Sequence, residues 1–398
     1  MEQVSIRAMS RLSLWLAMWI LGAGCGGRAN VECAVDSNCD LMGGGICKQS
    51  AAGGHWCAYP DTGCPSGYSY SNENVGDGVS GSCVAESAPA IDAGQNPDVG
   101  STVPISCAAL PTGCGTNGND SCCSSPAVSG GTYFRSYDVA QDSLSGDKNS
   151  PASVSDFHLD KYEVTVGRFR AFVVSEKGTQ ANAPVANAGA HANIAGSGWQ
   201  ASWNTSLAMD SLALAAALKC DTFATWTDMP AANEQKSINC VTWYEAMAFC
   251  AWDGGYPPTE AEWNYAATGG DDQRVYPWSA PDHGSLAIDG TRASYGCLGD
   301  GTAGCATTDL VNVGTKTESA GRWGQMDLGG NVAEWMLDLS DVYVSPCRDC
   351  ANLASGTARV FRGGGFADNA TQLRSGYRFH EADPIDRKVF RGFRCARP

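Results

Sequence analysis

Charge is scarce in this chain and positive charge scarcer. Charged side chains make up 17% of the 398 residues, with 26 Lys and Arg against 42 Asp and Glu. The net charge of −16 argues against a nucleic-acid partner, because phosphate binding needs a basic face. It suits a surface kept apart by self-repulsion. Long hydrophobic runs are missing as well: the most apolar stretch, Leu12 to Ala23, is too short to cross a bilayer as a helix. What remains is globular composition, with 43% apolar residues and 12 Trp. The 48 Gly point to a loop-rich architecture, and the length to two or three units.

Cysteine is abundant. Nineteen thiols in one chain are hard to keep reduced, and disulfides persist in oxidising compartments. The first residues supply a route there. Arg7 and Arg11 form a basic n-region, Leu12 to Ala23 an apolar h-region, and Gly22, Ala23 and Gly24 precede Cys25. Residues 1–24 therefore read as a signal peptide. Leu21-Gly22-Ala23-Gly24-Cys25 looks like a loosened lipobox, with Leu four residues before the Cys instead of three. In that pattern Cys25 is lipidated, becomes the N-terminus and anchors the protein to the membrane. The alternative is ordinary cleavage near Ala23 with Cys25 in a disulfide. Cysteine arithmetic favours lipidation, since eighteen others remain in even groups: six from Cys33 to Cys83, four from Cys107 to Cys123, eight from Cys220 to Cys395. The expected location is exported, as an anchored lipoprotein of the cell envelope or secreted.

Residues 25–84 hold six of these cysteines among many Gly, Ser and Asn, too few aliphatics for a core, and so form a small disulfide-rich module. Residues 85–106, with Pro, Ala, Gly and Asp and no periodicity, read as a linker. Residues 107–398 form the main domain. There Cys122 and Cys123 are adjacent and must bond different partners. Thr165 caps a helix with Phe169, Phe172 and Val173 on one face. Thr242-Trp243-Tyr244-Glu245 and Thr259-Glu260-Ala261-Glu262 are capping boxes of two helices, ended by Gly254-Gly255 and Gly269-Gly270. Residues 182–217 are Ala-rich and weakly patterned, which predicts an insertion or a long loop. Val360-Phe361-Arg362-Gly363 and Val389-Phe390-Arg391-Gly392 repeat one quartet and predict two strands of a closing sheet. Few helices among many short strands make an α+β domain.

The ordered motifs resemble one family. They are Phe157-His158-Leu159-Asp160-Lys161-Tyr162-Glu163-Val164-Thr165, Val241-Thr242-Trp243-Tyr244-Glu245-Ala246, Phe249-Cys250-Ala251-Trp252 and Pro258-Thr259-Glu260-Ala261-Glu262-Trp263. Tyr276-Pro277-Trp278, Gly330-Asn331-Val332-Ala333-Glu334-Trp335, Arg362-Gly363-Gly364 and Gly392-Phe393-Arg394 follow in the right order. Together they resemble the formylglycine-generating enzyme, or sulfatase-modifying factor, family. The resemblance implies that family's irregular α+β, C-type-lectin-like fold over roughly residues 155–398. Bottom-up, most of these residues are framework: the Trp are core-sized, and Glu245 and Glu262 are explained by capping.

The family's enzymes use two cysteines just after an RGGS motif to bind Cu(I) and oxidise a substrate cysteine with O₂; soft sulfur selects that ion. From Arg362 to Arg378 this chain has no Cys, and Gly365 replaces the Ser. Copper is therefore not expected, and no catalytic residue is assigned. Nor do His55, His158, His191, His283 and His380 form the histidine cluster of the iron-dependent branch. Cys347 and Cys350 form a CxxC that reads as two disulfide halves. By position, the family's calcium ligands fall on the Asp327 and Glu334 side chains and the Gly330 and Val332 carbonyls, hard oxygen donors suited to a structural Ca²⁺. The alternative is that both acids only hydrogen-bond the loop. The expectation is a non-catalytic binding member with an unknown surface ligand or protein partner, touching the membrane only through its lipid. A purely structural envelope protein is a further possibility, and a pocket near Gly365 to Arg378 lined by aromatic and Arg side chains would favour binding over it. The alternative is a formylglycine-generating oxidase.

Lipidation has a direct test: the mature N-terminus should be an acylated Cys25, and Cys25→Ser should move the protein out of the membrane fraction. An unmodified N-terminus at Gly24 or upstream rules it out.

Overall fold

A computed structural model describes Cys39 and residues 46–49, 55–64, 68–71, 79–84, 104–107, 113–140 and 147–398. The signal segment, Cys25, Cys33 and most of the linker lie outside these residues. The chain divides into two compact units, residues 1–100 and 101–398. The second thus starts earlier than 107, because Ile105–Cys107 forms a 3₁₀ turn whose buried Ser106 donates its N–H to Asp253 Oδ1 at 2.8 Å.

In the first unit, β1 (Ile46–Gln49), β2 (His55–Pro60) and β3 (Tyr68–Tyr70) make an antiparallel sheet in that order. Disulfides Cys39–Cys57 and Cys64–Cys83 brace it, and Cys47 is also disulfide-bonded. Its described buried clusters are three or four side chains each, and three of the four in one of them are disulfide-bonded cysteines, so bridges do the work that hydrophobic burial cannot.

Among its described residues, the second unit has short strands and four α-helices. Its strands are β4 (Ala127–Val128), β5 (Gly131–Phe134), β6 (Pro151–Val154), β7 (Phe157–Leu159), β8 (Ala333–Leu339), β9 (Cys347–Arg348), β10 (Arg359–Arg362), β11 (Phe379–Ala382), β12 (Arg391–Gly392) and β13 (Ala396–Arg397). The central sheet runs β11-β10-β8-β12, and three-stranded sheets β13-β7-β4 and β5-β6-β9 flank it. The repeated quartets become β10, antiparallel to β8, and β12, parallel to it on the other side.

The helices begin where their caps predict. In α1 (Val166–Val174) Thr165 accepts from the Arg168 N–H; α3 (Trp243–Trp252) and α4 (Glu260–Thr268) carry both halves of their capping boxes. Gly269 ends α4 in the left-handed conformation at φ 65°. Phe169 and Phe172 of α1 meet Phe249 of α3 and Phe393 within 5.3–6.1 Å, forming an aromatic core under Trp243 and Trp335. Trp263 packs a second cluster beneath α4, while Trp252 and Trp278 are only half-buried.

The Ala-rich stretch is not the long loop expected. It contains α2 (Ser211–Ala217), capped by Asp210, and buries Trp199, Leu207 and Leu214 in the main core. Single anchors spaced irregularly leave no period to read, which is why composition alone misled.

Arg168 is fully buried and bridges Asp160 (2.9 Å) and Asp253 (2.6 Å), with Arg397 closing the square on both acids. Removing one partner of a buried pair strands the others' charge. Arg168→Met should therefore lower unfolding free energy by about 3–5 kcal/mol in non-reducing urea titrations. A loss below about 1 kcal/mol would show that Arg397 alone neutralises both acids.

Candidate functional site

The loop between Met326 and Ala333 packs against the start of the chain's strand-and-helix frame. Its turn needs left-handed residues at Asp327 (φ 59°), Gly330 (φ 97°) and Asn331 (φ 58°); a Cβ on Gly330 would lie 2.4 Å from the Ser294 carbonyl. Asp327 Oδ2 accepts the Gly314 N–H at 2.5 Å. Glu163 supports the turn from below, accepting from Asn331 Nδ2 at 2.5 Å and the Val332 N–H at 3.1 Å. Glu334, at the start of β8, meets Arg394 bidentately at 2.7 and 2.8 Å and accepts the Trp263 indole N–H at 2.9 Å.

Three buried carboxylates (Glu163, Asp327, Glu334) thus face one fully buried guanidinium. Burial pushes Asp327 up to about 6 despite the Gly314 N–H and Arg394. Burial, then repulsion from Asp327 and Glu334, holds Glu163 well above the usual carboxylate range. Lys316, also buried, adds a second cation beside Asp327; the oxygen donors suit a hard cation, and Glu334 Oε1, accepting one bond, keeps a lone pair. Among the described residues no group of three or more His, Cys, Asp and Glu is arranged to hold a metal ion. A cation here would therefore depend on the Gly330 and Val332 carbonyls beside Asp327 and Glu334.

The segment after Arg362 is tied down at every turn. Gly363 and Gly364 are left-handed, the Gly365 N–H meets Asp368 Oδ2 at 2.8 Å, and the Phe366 N–H meets the Asn331 carbonyl at 2.8 Å. Asn369 caps the 3₁₀ turn Ala370–Leu373. None of the described cavities is lined by Arg362, Arg374 or Arg378. Arg362 turns inward to Glu260 (2.7 Å), Tyr343 Oη (2.6 Å) and Ser136 Oγ (2.9 Å). Arg378 grips the same Glu260 at 2.7 and 2.8 Å, and Arg374 pairs with Asp138 at 3.1 Å. These side chains hold the segment to α4. The described cavities lie elsewhere: a groove of about 570 Å³ along α1, bordered by Ile105, Val174, Trp252 and Pro230, a pocket of about 310 Å³ beside Phe172, Pro184 and Trp252, and a smaller one of about 100 Å³ beside His191 and Glu262.

All four disulfides expected from the eight later cysteines form: Cys220–Cys240, Cys250–Cys395, Cys297–Cys305 and Cys347–Cys350. Cys122 and Cys123 bond Cys114 and Cys107, different partners as their adjacency requires. Sequence reasoning missed Glu163, Arg168, Tyr343 and the His191–Glu262 contact at 3.2 Å; each depends on a partner far along the chain. Only Glu163, inside the opening motif, carried a local signal.

A disulfide-braced α+β domain with an inward-facing arginine frame and no unpaired thiol among its described cysteines is the class these features define. A family model for the sulfatase-modifying factor enzyme 1-like domain matches residues 116–398, and the chain belongs to that family. It is 32% identical over 170 residues to the formylglycine-generating enzyme of Thermomonospora curvata, covering 39% of this chain and 54% of that one. It is 27% identical over 279 residues to hercynine oxygenase of Mycobacterium tuberculosis, covering 65% and 57%. The chain thus spans little more than half the length of these relatives. PvdO from Pseudomonas aeruginosa aligns with a TM-score of 0.44 and 19% identity, over 68% of this chain and 92% of that one. Among the described residues no helix is long and apolar enough to cross a membrane.

Asp338 on β8 gives a pH test of the frame. Burial, then repulsion from Glu260, raises it to about 7, against the N–H groups of Glu260 and Asn352. A carboxyl raised above its unfolded value of about 4 binds its proton more tightly in the folded state. Stability should therefore fall as pH rises from about 4 to about 7, by at most about 4 kcal/mol, and level off above. Asp338→Asn should flatten this slope in urea midpoints measured across the window; an unchanged slope would assign it to other acids.

Proposed function

We propose that this protein is a non-catalytic, exported member of the sulfatase-modifying factor family, held at the membrane by a lipid on Cys25, that binds a surface ligand or protein partner. The observation that carries this reading is the state of its thiols. The segment Arg362 to Arg378 contains no Cys, and all eight cysteines from Cys220 to Cys395 are bonded to one another. Cu(I) needs soft thiolate ligands, and Asp368, Asn369 and Gln372 offer hard oxygen or amide groups instead. O₂ activation is the cofactor's chemistry, which electrostatic preorganisation by the fold does not replace. With its disulfides intact and Cu(I) supplied, the protein should leave the cysteine of a sulfatase-motif peptide unoxidised. Copper-dependent formylglycine formation would overturn the reading.

Calcium fits the same proposal as a structural ion at Asp327, Glu334 and the carbonyls of Gly330 and Val332, whose oxygens are hard donors. A ligand that binds only the native state, at about 100-fold over its dissociation constant, adds about 2.7 kcal/mol. Chelator should accordingly lower the melting temperature, and Asp327→Asn should abolish that response. A melt indifferent to chelator removes calcium from the account.

A further inference from the structure

The Cys347–Cys350 pair closes the smallest loop of the described disulfides, with a sequence separation of 3 against 8 to 145 for the others. A bridge that closes so short a loop restricts the unfolded chain least, so reducing it sacrifices the least stability. Its surroundings are unusual for a purely structural bridge. Arg135 is buried, and its Nη1 donates to Cys350 Sγ at 3.6 Å. Nη2 donates to the Val344 carbonyl at 2.8 Å, Nε to the Ser150 carbonyl at 3.4 Å, and the guanidinium lies 4.3 Å above the Tyr343 ring. Among the described residues no carboxylate pairs with it. The nearest acid in sequence to the sulfurs, Asp349, spends its carboxylate on the Ser155 N–H (2.6 Å), Ser155 Oγ (2.7 Å) and Asn193 Nδ2 (3.0 Å). A buried cation without an anion faces a sulfur that becomes an anion on reduction.

We propose that Cys347–Cys350 is a thiol–disulfide exchange site that accepts electrons from dithiols of a partner protein in the oxidising compartment. Cys350 is half-buried and Cys347 buried, so the partner's thiolate attacks Cys350 Sγ. The S–S bond breaks, its electron pair leaves on Cys347 Sγ, and that sulfur takes a proton from solvent. The partner's second thiolate then attacks its own sulfur in the mixed disulfide and expels Cys350 as a thiolate beside Arg135. One partner disulfide forms, one disulfide here is reduced, and two electrons move; neither copper nor O₂ takes part. Arg135 acts as a positioning residue that stabilises the leaving thiolate, as a neighbouring cation does for low-pKa cysteines.

Titrating the native protein with mixtures of reduced and oxidised glutathione, then alkylating and mapping each cysteine by mass spectrometry, tests this directly. Cys347–Cys350 should reduce apart from the other bridges, with an equilibrium constant at least tenfold further toward the dithiol than Cys250–Cys395. Arg135→Gln should move that constant about tenfold back toward the disulfide, about 30 mV, and Arg135→Lys should restore most of it. On the unaltered protein, the pH dependence of alkylation should place the reduced Cys350 thiol well below its ordinary value of about 8.5. A pair that reduces only together with the remaining bridges, or a Cys350 thiol of ordinary acidity, would overturn the proposal.

Discussion

The pairing of Arg394 with Glu334 organises the second unit. Both side chains are fully buried, and their bidentate contact joins the segment after β12 to the central strand β8. The remaining donors of Arg394 reach the carbonyls of Asp160, Lys161 and Met326 at 2.9–3.1 Å, so one guanidinium ties four segments together. Trp263 adds the α4 helix through Glu334. Burying two ions is repaid only when every lone pair and N–H finds a partner, and here almost every one does. The same logic recurs at Arg168 with Asp160 and Asp253, and at Arg362 and Arg378 with Glu260. The framework of this domain is a set of buried ion pairs, which explains how short strands and few helices hold a defined shape.

Local chemistry made much of this readable in advance. Thr165, Thr242 and Thr259 announce the starts of α1, α3 and α4 because capping is decided within four residues. The repeated Val-Phe-Arg-Gly quartets land in neighbouring positions about β8. Their arginines nevertheless part ways: Arg362 is held by Glu260, whereas Arg391 lies 4.3 Å over the rings of Trp335 and Phe361, and burial lowers it to about 10. No motif distinguishes the two, since the difference lies in which distant segment each strand faces. The α2 region was misjudged for the opposite reason: Trp199 and Leu214 enter the core singly, without a period. Around Asp327 and Glu334 the contribution of Glu163 emerged only when the chain folded back on itself.

Membership of a family settles the fold more firmly than the chemistry, because function resides in the site that a fold carries. Here the arginine that opens the RGG turn is retained for its contact with Glu260, while the soft ligands that turn would present are missing. Six of the described bridges lie within residues 107–398, and Cys250–Cys395 alone spans 145 positions to clamp α3 to the end of the chain. The described cysteines are engaged in cross-links, at least one of which sits against a cation that no carboxylate among the described residues pairs with.

The central claim is that no cysteine of the main domain outside the exchangeable Cys347–Cys350 pair is available as a thiolate ligand, and a thiol census tests it most directly. Native protein, denatured and alkylated without reductant and then mapped by mass spectrometry, should show the other ten cysteines between Cys107 and Cys395 unalkylated. Two alkylated cysteines among those ten, found in the protein as isolated, would supply the missing ligand pair and contradict the account.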